Sequence, residues 1–266
     1  MLVLLAALLS DPVLLRAQYE EGQLLELTLT FELAPVEEPA EAADESAGVT
    51  QTRYAITASE LVVAVGSDGT ATCSWQSERI TGRLQLADPQ APTLLFNSTL
   101  AASAKSELEA QAFSPYVELD TLGFRSEAAP DGCRRLLDPD AARGRVPVER
   151  EFAEAVLALQ SWTLPAEPVE PGAEWVGKDG RRFRYVGADA DGRHRIAVQI
   201  VRSRTPQSDD PSAAESPAPE EANGTLWFDP ELKRIAELEL VQILPDGTEA
   251  RTAWTLKEGD ELRFGF

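Results

Sequence analysis

Apolar and polar residues alternate along most of this chain with a period of two, the signature of strands that bury one face. The pattern is clearest where Leu25, Leu27, Leu29, Phe31 and Leu33 interleave with Glu26, Thr28, Thr30 and Glu32. Tyr54, Ile56 and Ala58 follow the same rule, and Leu61, Val63 and Val65 continue it on the other parity. That switch predicts a bulge or bend inside one long strand. Asp68-Gly69 predicts a hairpin turn. The returning strand carries Ala71, Cys73 and Trp75, then shifts parity to Ile80, Leu84 and Leu86. Long strands with such shifts curve a sheet strongly.

Thr93 to Ser98 reads as another strand. Leu100 to Phe113 is ambiguous, because Ala101, Lys105, Glu107 and Glu109 favour a helix, which Pro115 would stop. Val117, Leu119, Leu122 and Phe124 lead into an Asp131-Gly132 turn and a short strand at Leu136-Leu137. Pro147 then opens a helix over about 147–160, proline being tolerated at a first helical position. Val148, Phe152, Ala155, Val156 and Leu159 fall on its apolar face, and Glu149, Arg150, Glu151 and Glu154 on the other.

The run Pro165-Ala166-Glu167-Pro168-Val169-Glu170-Pro171-Gly172-Ala173-Glu174-Trp175 cannot sit inside a helix or a sheet. It predicts a stiff connector over 165–175, with Trp175 anchoring the chain where regular structure resumes. Hairpins follow. Phe183 and Tyr185 alternate with Arg182 and Arg184, and Ile196, Val198 and Ile200 come after the Asp191-Gly192 turn. Leu226 and Phe228, then Ala236, Leu238 and Leu240, then Trp254 and Leu256 mark further strands, with Asp246-Gly247 as a turn. Strands joined by short turns are antiparallel. The expected fold is mainly β, with strongly curved antiparallel sheet in two β-rich halves (18–164 and 176–266) and one amphipathic helix packed on it.

Two stretches break the pattern. Ala34 to Gly48 is acidic and rich in Pro and Ala, and Thr205 to Glu221 is rich in Ser, Pro, Asp and Glu. Both have too little apolar surface to offset ordering entropy and read as disordered loops. Residues 1–17 read as a signal segment, because Met1 to Leu9 are almost wholly apolar and Ala17 offers a cleavage point. A buried first strand is the other reading of that run. No apolar run approaches the length that spans a bilayer. An exported protein, periplasmic or extracellular, with no transmembrane segment in the mature chain is the expectation.

Charge and chemistry narrow the function classes. A net charge of −21 over 266 residues argues against nucleic acid. His194 is the only histidine, and it shares parity with Ile196 and Val198, which gives it a structural role. Multi-histidine metal sites and histidine triads are thereby removed, and no phosphate-cradling or nucleophile motif is present. No catalytic residue, metal or cofactor is expected. The Asp189-x-Asp191-Gly192 run reads as a hairpin tip, since the rest of a calcium loop is missing. Cys73 and Cys133 are the only cysteines. Bridged, they would add about 4 kcal/mol in the chain-entropy model; unbridged, they are inert thiols, and spacing does not choose between the two.

Several pieces resemble an uncharacterised family of exported bacterial β-rich proteins, a domain of unknown function. They are the strand after Tyr19-Glu20-Glu21-Gly22, the strand around Val62 running into Asp68-Gly69-Thr70-Ala71, and Phe96-Asn97-Ser98. The Leu119 to Phe124 run before Asp131-Gly132 follows, then Leu164-Pro165 with Val169, Pro171-Gly172 and Trp175, and last Gly224 with Phe228-Asp229. The resemblance covers most of the chain in order and implies export and a β-rich fold. It brings no catalytic residues. The two acidic loops depart from that family's compact pattern.

The functional expectation is a non-catalytic binding or interaction protein, holding an apolar or lipid-like ligand between sheet and helix. Phe152, Trp175 and Trp227 are the candidate lining. The alternative is a structural protein of the cell envelope with no pocket, its partner another envelope protein. Arg182, Arg184, Arg193 and Arg195 form a candidate patch for an anionic partner, or pair across strands with Glu237 and Glu239.

Overall fold

The computed structural model describes residues 12–35, 49–86, 93–99, 122–137, 147–202, 220–244 and 247–259. Residues 36–48 and 205–219 of the two acidic loops, the ambiguous 100–113 stretch and Met1 to Leu9 lie outside the described residues, while Ala34-Pro35 and Glu220-Glu221, read as loop, are strand. The elements are β1 (Leu24–Pro35), β2 (Val49–Val65), β3 (Ala71–Leu86), β4 (Leu94–Asn97), β5 (Gly123–Ala128), β6 (Arg134–Leu137), α1 (Pro147–Gln160), β7 (Glu174–Val176), β8 (Arg182–Ala188), β9 (His194–Arg202), β10 (Glu220–Asp229), β11 (Arg234–Ile243) and β12 (Thr248–Glu258).

All twelve strands belong to one antiparallel sheet, in the order β6-β5-β3-β2-β1-β12-β11-β10-β9-β8-β7, with β4 beside β3. The two halves of the chain join where β1 pairs with β12, in an unbroken register from Leu25↔Glu258 to Pro35↔Thr248. Strands β6 and β7 end the order and do not pair with each other, so the sheet is open. It is also strongly curved. Phe152 of α1 packs on Trp75 of β3, and Trp254 of β12 donates to the Leu159 carbonyl of α1. Trp162, just past the helix, meets Phe183 of β8 edge-on. Strands β3 and β8 stand seven spacings apart, about 34 Å in a flat sheet, whereas a helix is about 10 Å wide. Only a sheet wrapped round α1 can touch it from both sides.

Five hairpins use one loop. In Gly66–Thr70, Ala129–Cys133, Gly177–Arg181, Asp189–Arg193 and Leu244–Thr248, the first N–H donates to the fifth carbonyl, and the fourth N–H to the first carbonyl. The fourth residue is always glycine, at φ between 80° and 83°, the left-handed conformation that side chains resist. Asp68, Asp131 and Asp179 each stand before that glycine and accept the N–H two residues on. The Asp189–Gly192 run is therefore a hairpin tip, its Asp189 carboxylate taking the Asp191 and Arg193 amides.

Curvature arises at bulges. In the β2–β3 pairing the register slips at Thr57/Ala58 and at Val62/Ala64. The first slip leaves Glu78 unpaired and produces the parity change from Trp75 and Ser77 to Ile80 in β3. In β2 the expected parity switch comes later than Ala58, at the second slip, where Val63 is left unpaired and Val65 returns to the core opposite Ala71. Ile56, Ala58, Glu60 and Val62 all face inward, while Leu61 is half-buried and Val63 exposed. The helix face also needs a correction. Ala153, Val156, Leu157 and Gln160 are its buried stripe and Ala155 is exposed, a rotation that aims the stripe at the sheet on both sides.

Residues 12–19 are built into the fold. Leu15, Ala17 and Tyr19 are buried, and Val13 exchanges two backbone hydrogen bonds with Val169 of the proline-rich connector. Ala17 N–H donates to Pro130 and Gln18 N–H to Lys233, so the segment crosses one end of the wrapped sheet. Leu15 and Ala17 lie within the stretch read as a signal, and both are core residues here. Among the described residues no helix is long and apolar enough to cross a membrane.

Candidate functional site

The open edges of the sheet meet across a strap of four residues, 161–164. On one side Trp162 N–H donates to the Gly132 carbonyl and Leu164 N–H to that of Asp131, both at the β5–β6 turn. On the other side Trp175 Nε1 donates to the Thr163 carbonyl at 2.7 Å, and Arg181 Nη1 to the Ser161 carbonyl at 2.9 Å. Lys178 Nζ reaches Asp131 at 3.5 Å across the gap. The last turn of α1 contains no basic residue, so its free carbonyls find donors elsewhere. Trp162 and Trp254 indoles both donate to Leu159, and Arg181 reaches Ala158 while its guanidinium lies 4.4 Å over the Trp162 ring.

Outside this seam is a groove of about 470 Å³. Leu136, Leu157 and Ala158 contribute apolar wall, and Arg134, Arg135, Arg150 and Arg181 contribute charge against only Glu154 and Asp179. Glu60 and Glu127, outside the groove lining, pair with Arg134 and Arg135, so each of these arginines has a carboxylate partner. Arg135 pairs with Glu127 and Arg150 with Glu154, both at exposed positions where such pairs contribute little. Arg181 is held by Asp179 at 2.9 Å.

Beneath the groove is a buried charge cluster. Glu60 is 1% exposed and sits on β2 between Leu25 of β1 and Trp75 of β3. Arg134, its side chain 7% exposed, grips both Glu60 oxygens: Nη2 reaches Oε1 at 2.9 Å and Nη1 pairs with Oε2. Burial pushes the Glu60 carboxyl up, but the charge and hydrogen bonds of Arg134, with the charge of Arg234, outweigh it and hold it below its ordinary value. Arg234, 3% exposed, enters from the β10–β11 turn. Its Nη2 donates to the Gln18 carbonyl at 3.0 Å and to Gln23 Oε1, and its guanidinium lies 4.6 Å over the Tyr19 ring.

The two cysteines are free, which corrects the bridged reading. Cys73 pairs laterally with Ser126, and Ser126 with Leu136, three residues beyond Cys133. Two strand spacings alone are about 9–10 Å, beyond the Cα separation that a disulfide allows. Cys73 instead faces Glu60, and burial, with the Glu60 charge second, pushes its thiol up to about 12. Cys133 Sγ turns to Thr163 Oγ1.

The three candidate ligand residues do not converge. Phe152 is half-buried against Trp75, and Trp175 stacks on Phe183 at 5.4 Å. Trp227 points the opposite way from the buried Leu226 and Phe228, in a lateral row with Arg195 and Glu237 on the outer face. Among the arginines, Arg182, Arg184 and Arg195 are exposed, while Arg193 Nη1 binds Glu237 Oε2 at 2.6 Å and turns back to Asp189. His194 is structural: its Nδ1 lies 2.8 Å from the Tyr185 hydroxyl, and burial pushes its ring below the ordinary value.

Glu60, Arg134, Arg234, Tyr19 and Gln160 escaped the sequence reading. The one signal was Glu60 itself, an acidic residue on the inward parity between Ala58 and Val62.

The architecture is that of an open antiparallel sheet wrapped round a helix, with an arginine-rimmed groove at the seam. No family model matches the chain, and no curated protein matches it. Among solved structures it is similar to lipovitellin, in a structure titled for its lipid–protein interactions, with a TM-score of 0.52 and 8% identity. That alignment covers 91% of this chain and 26% of lipovitellin, so this chain spans about a quarter of it, and the likeness is one of fold alone. A β-barrel-like protein of a domain of unknown function from Brucella abortus aligns at 9% identity over 90% of this chain and 100% of its own, with a TM-score of 0.15 that carries no argument.

Proposed function

We propose that the protein is a non-catalytic, exported binding protein whose seam groove takes the anionic end of a lipid-like amphiphile. The observation that carries this reading is the groove itself: about 470 Å³, within the range of small-molecule sites, with apolar wall and, at its rim, Arg135 and Arg150, whose ion pairs are solvent-exposed and readily exchanged. Planar guanidinium groups suit carboxylate and phosphate oxygens, and the Leu136 and Leu157 side chains suit a chain of methylenes. Lipovitellin, titled for lipid–protein interactions, supports bringing a lipid to a fold of this kind. Export rests on the apolar opening run alone. The groove is preferred to the space between helix and sheet because, among the described residues, the cavity beside the helix measures about 20 Å³, too small for an acyl chain.

Native mass spectrometry with increasing oleate tests this. A 1:1 complex is expected, lost on denaturation and weakened at least tenfold in an Arg135→Glu/Arg150→Glu variant, whose changes lie on exposed side chains. Bare protein at every oleate ratio overturns it.

A further inference from the structure

A second site lies deeper and does not depend on what the groove binds. The small cavity of about 20 Å³ is lined by Tyr19, Arg134, Gln160, Arg234 and Trp254 among others. Its side-chain polar groups are two guanidinium groups, the Gln160 amide, the Trp254 indole and the Tyr19 hydroxyl. Gln160 Oε1 is taken up by Arg134 at 3.5 Å, leaving the amide nitrogen, and the Trp254 indole is committed to Leu159. Arg234 Nη1 is buried, and among the described residues nothing accepts from it. No carboxylate lines the cavity. Glu60, just outside it, is held on both oxygens by Arg134.

Charge leads to the same place. The cluster holds two guanidinium groups, always protonated in proteins, and one carboxylate, Glu60, which Arg134 takes on both oxygens, so Arg234 leaves one positive charge in the core. Uncompensated buried charge is among the costliest arrangements a fold can contain. A water molecule must also find acceptors for its own protons, whereas an anion needs only donors. Size sets the rest. About 10–15 Å³ of such space admits one water-sized body, so this cavity takes one small ion and excludes an organic acid.

We propose that the cavity binds one small monovalent anion of the halide class, chloride being the abundant example, on Arg234 Nη1. The anion brings the cluster to electrical neutrality, and the Tyr19 ring under the guanidinium keeps the arginine flat against it.

The test uses the full chain dialysed into sodium methanesulfonate, with chloride replacing methanesulfonate at constant ionic strength. A saturable rise in Tm of several degrees is expected, together with an excess ³⁵Cl NMR linewidth that bromide displaces. Arg234→Met should abolish both. Should that variant not fold, a bromide-soaked crystal of the unaltered protein decides the matter. An anomalous peak in contact with Arg234 Nη1 supports the assignment. A response that never saturates, or a bromide peak only elsewhere, overturns it.

Discussion

The wrapped sheet is joined in two places by quite different means. Between β1 and β12 the join is backbone, eleven register pairs in line, with Leu25, Leu27 and Leu29 on the inner face. Between β6 and β7 no strands pair, and the gap is held by the 161–164 strap, the Trp175 indole and Arg181. The first join rests on a backbone ladder and on the packing of those buried leucines. The second depends on particular residues, and the groove and the buried charges gather beneath and beside it. A sheet closed by strands all round would leave no such place.

The largest effects should come from breaking the side-chain join. Trp162→Ala removes the ring that meets Phe183 and carries Arg181, and should cost about 3–5 kcal/mol in a denaturant titration. Glu60→Leu should cost a similar 3–5 kcal/mol, because Arg134 is left buried without its partner. Adding Arg134→Met to that variant should recover most of the loss, since an apolar replacement of both partners is near neutral. A double variant no more stable than Glu60→Leu would contradict the pairing account.

A smaller loss, about 2 kcal/mol or more, is expected for Gly132→Ala. A Cβ there would stand 2.2 Å from the Trp162 carbonyl oxygen at φ +80°, so the new methyl presses on the strap while the backbone resists it. The same change at Gly192 (φ +83°), with nothing within 4 Å, carries only the conformational cost. Comparing the two separates strap from turn.

Acid should weaken the buried cluster. The folded Glu60 carboxyl lies below its ordinary value of 4.5, so its stabilisation is present in full above that value and is lost as pH falls through the depressed one. Urea midpoints measured from pH 6 down to 3 should fall more steeply for the unaltered chain than for the Glu60→Leu/Arg134→Met variant. Parallel slopes would refute that linkage. The smallest effect belongs to the outer face: Arg182→Gln, Arg184→Gln and Arg195→Gln should each change stability by less than about 0.5 kcal/mol, read by thermal melts.

Much of the backbone join was legible in the sequence, because period-two alternation and Asp-Gly turns report local geometry. Leu25 to Phe31, the β3 shift at Ile80 and the hairpin tip at Asp191-Gly192 all follow from such signals. The side-chain join was not legible. Residues Glu60, Arg134 and Arg234 are 74 to 174 positions apart pairwise at the extremes of that contact (60 to 134, 60 to 234), and polarity rules send each of them to the surface. Only the fold supplies the partners that reverse that preference. Trp227 erred in the opposite direction: a large ring suggested a pocket, yet its strand parity already placed it outside with Arg195 and Glu237.

Hydrogen–deuterium exchange with and without oleate tests the central claim most directly, that the side-chain-closed seam is the ligand site. Without ligand, the amides of β1 and β12 should exchange slowest, and those of β6, β7 and the 161–164 strap much faster. With oleate, protection should rise at residues 150–161, at β6 and around Arg181, and nowhere else. Protection that appears instead on the outer face near Trp227, or no change at any segment, would contradict the account.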